Sequence, residues 1–364
     1  MKIAILTELF PPSVGGQENR FAELSQVLSR RGHAIEIFCI QSDRESEAYE
    51  TLGDVTVHRY PLAPDYQQPA CKWFRRQPSV MLRYALWCRN IDPQSFDLFI
   101  FNQWPLAHLI LAPVSIRSKA LTDWCEFRAG APFTFLQKYL PARVAGNITN
   151  STSLARRFEV SSGSHFSVLP SGIFTSRYRC KPKEQRKGAL YLGRIAEHKN
   201  LGLLLSCYKS LVARGYDGPL RIAGSGPSVT SLQELRESSG ISDRVELLGA
   251  VAEEEKVELL ASSDLLVLTS RREGFARVIA EAMASGLPVV TVDYPENGAK
   301  EVVQEYGIGL VTEPRASALS DGMVQVLQKW DFYSAVCISA SKSLDWEVVA
   351  DHLLRITARI LRLS

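Results

Sequence analysis

Two carboxylates eight residues apart, Glu273 and Glu281, stand in the stretch Thr269–Asp293. Before them, Asp264–Leu268 is an apolar run that predicts a buried parallel strand. Gly274 interrupts the chain, Ala276–Ala284 is made of strong helix formers, Gly286 stops the helix, and Pro288–Val292 opens the next strand. The stretch therefore predicts one strand–helix–strand unit with Glu273 at the mouth of its helix. Eight residues at 100° each leave the two about 80° apart around a helix and about 12 Å along it. That is too far to share a proton or a metal. It suits the bracketing of an extended ligand across the helix N-terminus, where free N–H groups favour phosphate. Two cations offer a counterpart. Arg194 and Lys199 flank a turn between the strand Ala189–Leu192 and a helix that Lys199-Asn200-Leu201 begins. Two cations and a helix dipole would neutralise a diphosphate; on residue type alone, a solvated surface pair is the other reading.

The elements that must hold these groups repeat the same order. At 364 residues the chain predicts two domains, each with its own core. Lys2–Thr7, the loop Phe10–Gly16, a helix from Gln17 to Arg31 and the strand Ala34–Ile40 form another strand–helix–strand unit. Phe21, Leu24, Val27 and Leu28 supply the helix's buried stripe. Gly15 and Gly16 would let backbone N–H groups approach a phosphate or sugar, or simply make a flexible turn. Asp97–Phe101 and Ala120–Thr122 are further strands, with Asn102, Gln103 and Trp104, then Asp123, Trp124, Cys125 and Glu126, at their carboxyl ends. Asp123 or Glu126 could make a polar contact to a ligand there and Trp124 could stack on a ring. Equally, these residues make a hydrogen-bonded loop acid beside a packed Trp. Ser151 or Thr152 caps a helix to Phe158, and Ser176–Lys187, basic and without apolar period, reads as a linker. The domains expected are 1–172, a linker 173–187, 188–343, and a terminal segment 344–364. Leu220–Gly224 ends in Gly-Ser-Gly-Pro, a weak dinucleotide match that lacks its third glycine. Short helices are expected after Glu301, then two amphipathic stretches at 344–349 and 353–361.

Composition narrows the classes. The chain is 46% hydrophobic and 22% charged, ordinary for a soluble globular protein, and a net charge of +3 gives no footprint for nucleic acid. Seven scattered cysteines without Cys-x-x-Cys argue against a disulfide framework or zinc and for a reducing, cytoplasmic compartment. Met1–Thr7 reads as a strand, not a signal peptide, and polar residues interrupt 98–116 too often for a membrane span. The Asn147 and Asn150 glycosylation patterns read as chance. Residues 71–90 mix Lys72, Arg75, Arg76, Arg83 and Arg89 with Trp73, Phe74, Tyr84 and Trp87 and contain no acid. Such a segment could lie peripherally on an anionic membrane; the alternative is a surface helix with solvated charges and a core-facing aromatic stripe.

Glu273 and Glu281, with Gly274-Phe275 and Glu-Ala-Met-Ala-Ser-Gly-Leu-Pro-Val-Val from Glu281, resemble the Glu-x7-Glu signature of family 4 (GT4) retaining glycosyltransferases of the GT-B superfamily. Phe10–Glu18, Arg31-Gly-His33, Pro170–Ile173, Gly193-Arg194 with Lys199-Asn200, and Gly224–Pro227 follow in the family's order, so the likeness covers nearly the whole chain. It implies an α/β fold of the GT-B type: two Rossmann-like doubly wound domains facing across a cleft, with C-terminal helices crossing back to the first. It also implies transfer of a sugar from a nucleoside-diphosphate donor to a hydroxyl acceptor with retained anomeric configuration. By the resemblance, Gly15 and Gly16 face the donor, and Gly224, Ser225 and Val251 lie at the nucleotide base. Glu281 holds the ribose, and Glu273 with the N–H groups of Phe275 and Ala276 holds the donor sugar. Ala276 replaces a usual Gly, and the histidine that members commonly place near Thr122–Trp124 is missing.

The catalytic set expected is Arg194, Lys199, Glu273 and Asp123. The leaving group gathers negative charge, so preorganised positive charge is the main requirement. No Asp-x-Asp occurs, and no metal or other cofactor is expected. The acceptor, a glycan, glycolipid or metabolite, would meet the loops 65–90 and 123–139. The competing readings are an epimerase or phosphorylase on the same architecture, and a non-catalytic nucleotide-sugar binder.

Overall fold

A computed structural model describes residues 1–13, 15–68, 76–128 and 130–362. The chain divides into two compact units, Met1–Gly172 with Trp346–Ser364, and Ile173–Asp345. The segment 173–187, expected as a linker, contains two short 3-10 turns and falls in the second unit.

In the first unit the strands are β1 (Lys2–Leu6), β2 (Ala34–Gln41), β3 (Tyr49–Leu52), β4 (Val55–Leu62), β5 (Leu98–Asn102), β6 (Ala120–Trp124), β7 (Gly146–Thr149) and β8 (Ser167–Val168). They lie in the order β3-β4-β2-β1-β5-β6-β7-β8, parallel throughout except for β3 against β4. Continuous apolar runs such as Ile3–Leu6 and Leu98–Phe101 are buried, as helices on both faces require. Helix Gly16–Arg30 carries the expected stripe, with Phe21, Leu24, Val27 and Leu28 buried. Ser151 accepts from the Leu154 N–H at 3.3 Å and caps the helix Thr152–Ser162. The last helix, Trp346–Arg362, belongs to this unit. Trp346 Nε1 donates to Glu23 at 2.6 Å and its ring fills the space that a side chain at Gly172 would need. Arg31 binds Glu347 at 2.7 Å and Asp351 at 2.5 Å.

In the second unit β9 (Ala189–Leu192), β10 (Leu220–Ala223), β11 (Val245–Gly249), β12 (Leu265–Leu268), β14 (Val289–Val292) and β16 (Gly309–Thr312) form an all-parallel sheet ordered β11-β10-β9-β12-β14-β16. This is the Rossmann order, winding outwards in both directions from β9. Two two-residue strands, β13 (Arg272–Glu273) and β15 (Glu296–Asn297), pair separately. The short helices expected after Glu301 are instead full ones, Ala316–Gln328 and Trp330–Ser341. Their polar residues, including buried Ser320 and Ser334, obscured the apolar stripe.

Candidate functional site

Ligands of doubly wound sheets bind outside the carboxyl ends of the strands where the winding reverses. In the second unit that place lies between β9 and β12. The first runs out into Gly193–Lys199 and the second into Thr269–Glu273, so topology sets these segments side by side. Thr269 Oγ1 donates to the Lys199 carbonyl at 2.8 Å, and the Arg271 N–H to that of His198 at 2.7 Å. Thus held, Lys199 Nζ forms an ion pair with Glu273, 74 residues further on. Ser270 Oγ donates to the same carboxylate oxygen at 3.1 Å. The two charged side chains are only 14% and 18% exposed.

Arg194 presents an exposed side chain from a loop fixed by Tyr191, whose hydroxyl donates to the Arg194 carbonyl at 2.9 Å. Burial and the nearby charge of Glu273 push the Tyr191 phenol up. His198 sits among the charges. Burial lowers its imidazole below the ordinary range, as do Lys199, Arg272 and Arg194, while Glu273 opposes them. One ring feeling all four groups places three cations and a carboxylate in one neighbourhood.

The glycines of this region work through close approach. Gly224 has φ 146°, and a Cβ there would strike the Gly193 carbonyl oxygen; one on Gly226 would strike that of Ile195. The Gly224 N–H donates to Gly249 at 2.6 Å and the Ile195 N–H to Ser225 at 2.8 Å. The loops after β9, β10 and β11 are thereby knitted together, with Ser225 exposed and Val251 partly buried against the core.

Glu273 does not lie on the helix that follows it. It belongs to β13, in register with Asn297, and its carbonyl accepts from the Gly298 N–H at 2.9 Å. The helix is Arg277–Ala284, so the helical angle between Glu273 and Glu281 has no meaning here. Ala276 is the N-cap with φ −68° and ψ 100°, a conformation open to any residue, so its methyl costs no strain. No side-chain hydrogen bond caps this helix, and the Ile279 N–H donates to the Ala276 carbonyl at 2.8 Å; a helix N-terminus of this kind favours an anion. Gly274 is exposed and Phe275 packs partly against the core. Glu281 is buried within the helix, and Lys256 Nζ donates to its Oε1 at 3.0 Å. Among the described residues no group of three His, Cys, Asp or Glu gathers as a metal site.

In the first unit Gly15 is the N-cap of its helix, and the carboxylate of Glu18 folds back into the space a Gly15 side chain would take. The backbone at Gly15 is thus covered by the chain's own anion, while Gly16 faces open space. Burial raises the Glu18 carboxyl, with Glu8 adding to the shift and Arg76 opposing it. Asp123 is buried and ion-paired with Arg20 at 2.9 Å, leaving Oδ1 without a partner. Arg20 also donates to the Leu169 and Pro170 carbonyls and to Ser171 Oγ at 2.9–3.0 Å. Trp124, expected to stack on a sugar, is instead a core residue. It lies in β6, fully buried, with Nε1 on Asn147 at 2.8 Å and its ring 5.0 Å from that of Phe158. Glu126 pairs with Arg128 at 2.7 Å. Sequence reasoning missed Arg20, Lys256, Ser270 and Arg272. Only Arg272, next to Glu273, carried a positional signal.

A family model described as glycosyl transferases group 1 matches residues 175–342. Over 358 residues the chain is 26% identical to the GDP-mannose-dependent alpha-(1-6)-phosphatidylinositol monomannoside mannosyltransferase of Mycobacterium tuberculosis, covering 90% of this chain and 89% of that one. The chain resembles the GT4-type glycosyltransferases of group 1, with the family model matching its second unit. Among solved structures this chain is similar to sucrose-phosphate synthase from Thermosynechococcus elongatus, with a TM-score of 0.80, 18% identity and 100% of both chains covered. It is also similar to Anabaena HepE in complex with UDP, with a TM-score of 0.74, 18% identity, and 99% and 100% covered. The shared fold is GT-B, built from two Rossmann-like units. The matched span contains every expected donor-side residue of this chain except Gly15 and Gly16.

Proposed function

We propose that the chain is a retaining glycosyltransferase that moves a hexosyl unit from a UDP- or GDP-linked sugar to a hydroxyl of a glycan, glycolipid or small metabolite, without a metal. The observation that carries this is the Lys199–Glu273 pair at the winding-reversal point of the second sheet, with Arg194 exposed beside it. The donor's pyrophosphate competes for Lys199 and frees Glu273 to accept hydrogen bonds from sugar hydroxyls. As the bond between the anomeric carbon and the phosphate oxygen breaks, Lys199, Arg194 and the uncapped helix N-terminus take up the growing charge. The acceptor oxygen bonds to the same face of the anomeric carbon and its proton passes to the departing phosphate. Support for the donor class comes from similarity to a GDP-mannose-dependent enzyme and to a protein bound to UDP.

Peripheral membrane contact belongs to this reading. Helix Pro78–Cys88 exposes Leu82, Arg83 and Leu86, with exposed Tyr60 and Leu62 on β4, against which the helix packs. Lys72, Trp73, Phe74 and Arg75 lie outside the described residues. Among the described residues no helix is long and apolar enough to cross a membrane. The six described cysteines are free, which suits the cytoplasm and its face of the membrane.

A screen of nucleotide sugars against acceptors, with NMR of the product's anomeric centre, tests the reaction. Retained configuration with full turnover in EDTA is expected. Inversion would overturn the stereochemical proposal, and loss of turnover in EDTA the metal-free one. Flotation of the protein with phosphatidylserine vesicles but not with phosphatidylcholine ones is expected of the membrane surface; equal recovery with both would overturn it.

A further inference from the structure

The geometry points to Lys256 as the residue that positions Glu281 for the donor's ribose and ties that carboxylate to the loop beside the nucleotide base. This rests on the glycosyltransferase reading, in which the family resemblance gives the ribose to Glu281 and the base to the loop around Val251. Glu281 lies in the helix Arg277–Ala284 with its side chain 6% exposed, and Lys256, in the helix Glu253–Ser262, is 15% exposed. A carboxylate so buried persists as an anion only when a cation or hydrogen-bond donors accompany it. Lys256 Nζ supplies this at 3.0 Å from Oε1, which leaves Oε2 as the acceptor for ribose hydroxyls.

The same ammonium reaches Glu253 Oε1 at 2.7 Å. Glu253 opens its helix two residues after Val251, in the loop that leaves β11. Lys256 therefore bridges the ribose carboxylate and the first turn of the helix that follows the base loop. Base and ribose contacts are then fixed relative to each other before any nucleotide arrives, which lowers the ordering cost of binding. Lys256 touches neither the reacting sugar nor the pyrophosphate in this arrangement. Its effect belongs on donor affinity and ribose recognition, not on the chemical step.

The test uses the full chain and calorimetry with UDP, GDP and their 2′-deoxy counterparts, followed by donor kinetics. Lys256→Met keeps the length of the stem and removes the charge. It is expected to weaken binding of the preferred diphosphate about tenfold or more, to bring the ribo and 2′-deoxy affinities together, and to raise the donor KM while kcat stays within about threefold. Lys256→Arg is expected to restore most of the discrimination. Should Lys256→Met not fold, Lys256→Gln, which removes the charge but keeps a hydrogen-bond donor for the buried carboxylate, takes its place and should show the same loss of discrimination. Glu281→Ala separates the two levels. If Glu281→Ala abolishes ribose discrimination while Lys256→Met, or Lys256→Gln in its place, leaves it intact, the positioning role of Lys256 is overturned and the ribose site stands. If Glu281→Ala preserves discrimination, the ribose reading itself fails and the role of Lys256 with it.

Discussion

Replacing Lys199 by alanine separates what its ammonium does in the resting protein from what it does in the reaction. In the resting protein it neutralises Glu273, at side-chain exposures of 14% and 18%. That lies between a surface pair, worth up to about 1 kcal/mol, and a buried one, where removing a partner costs about 3–5 kcal/mol. With Ser270 still donating to the orphaned carboxylate, a loss of about 1–2 kcal/mol follows. In a unit of about 170 residues this lowers the melting temperature by roughly 2–8 °C. In the reaction, removal of one preorganised donor to a developing anion costs about 10²-fold or more in turnover, roughly 2.7 kcal/mol. The two effects part company in the double variant Lys199→Ala/Glu273→Ala, where no unpaired carboxylate remains. Its melting temperature should recover in part, while kcat stays at or below that of the single variant. The assay is initial-rate donor turnover at saturating donor, with thermal melts of the same samples. A Lys199→Ala turnover within threefold of the parent would refute the assignment of leaving-group stabilisation to this residue.

Other perturbations follow from neighbouring features. Gly224→Ala places a methyl against the Gly193 carbonyl oxygen at a φ that disfavours side chains; donor affinity should fall at least tenfold in calorimetry, and parental affinity would contradict the close packing of these loops. His108 is fully buried and burial lowers its pKa to about 3. Below the unfolded value of about 6.5 only the unfolded chain takes up this proton. This contribution to stability is therefore present at neutral pH and is lost as pH falls from about 6.5 towards 3, by about 1.4 kcal/mol per pH unit. His108→Phe should then lose about 2 kcal/mol less than the parent between pH 7 and pH 5 in urea titrations, and equal losses would remove His108 from the acid response. Arg31→Ala releases a partly exposed clamp on the terminal helix, so proteolysis after residue 346 should quicken while stability changes by no more than about 1 kcal/mol. An unchanged cleavage rate would argue that the packing of Trp346 holds that helix without the clamp.

Much of the scaffold was legible because it is written in short-range signals. Ala189–Leu192 is both the expected and the observed strand, and Val289–Val292 falls one residue inside its expected limit. Both are apolar runs ended by a turn residue or a change of period, as buried parallel strands require. What escaped was set by contacts between distant residues. Glu273 belongs to a two-residue strand, too short to show any period, so the sequence alone places it at the helix mouth. A polar Asp123 after Thr122 predicts the end of a strand and a loop position for Trp124, yet β6 runs on through it and Asn147 Oδ1 accepts from its indole N–H. The polar Asp123 is tolerated inside the unit because Arg20, 103 residues earlier, accompanies it. Lys256 and Glu281 sit on separate helices 25 residues apart, and neither helix alone shows why they should meet. Family resemblance supplied roles for residues whose contacts it did not reveal.

The most direct measurement of the central claim is a crystal structure of the protein soaked with UDP or GDP. Density for the pyrophosphate within hydrogen-bonding distance of Lys199 Nζ and the Arg194 guanidinium, with the Lys199–Glu273 contact opened, is the expected result. A pyrophosphate bound away from both cations, with that ion pair undisturbed, would contradict it.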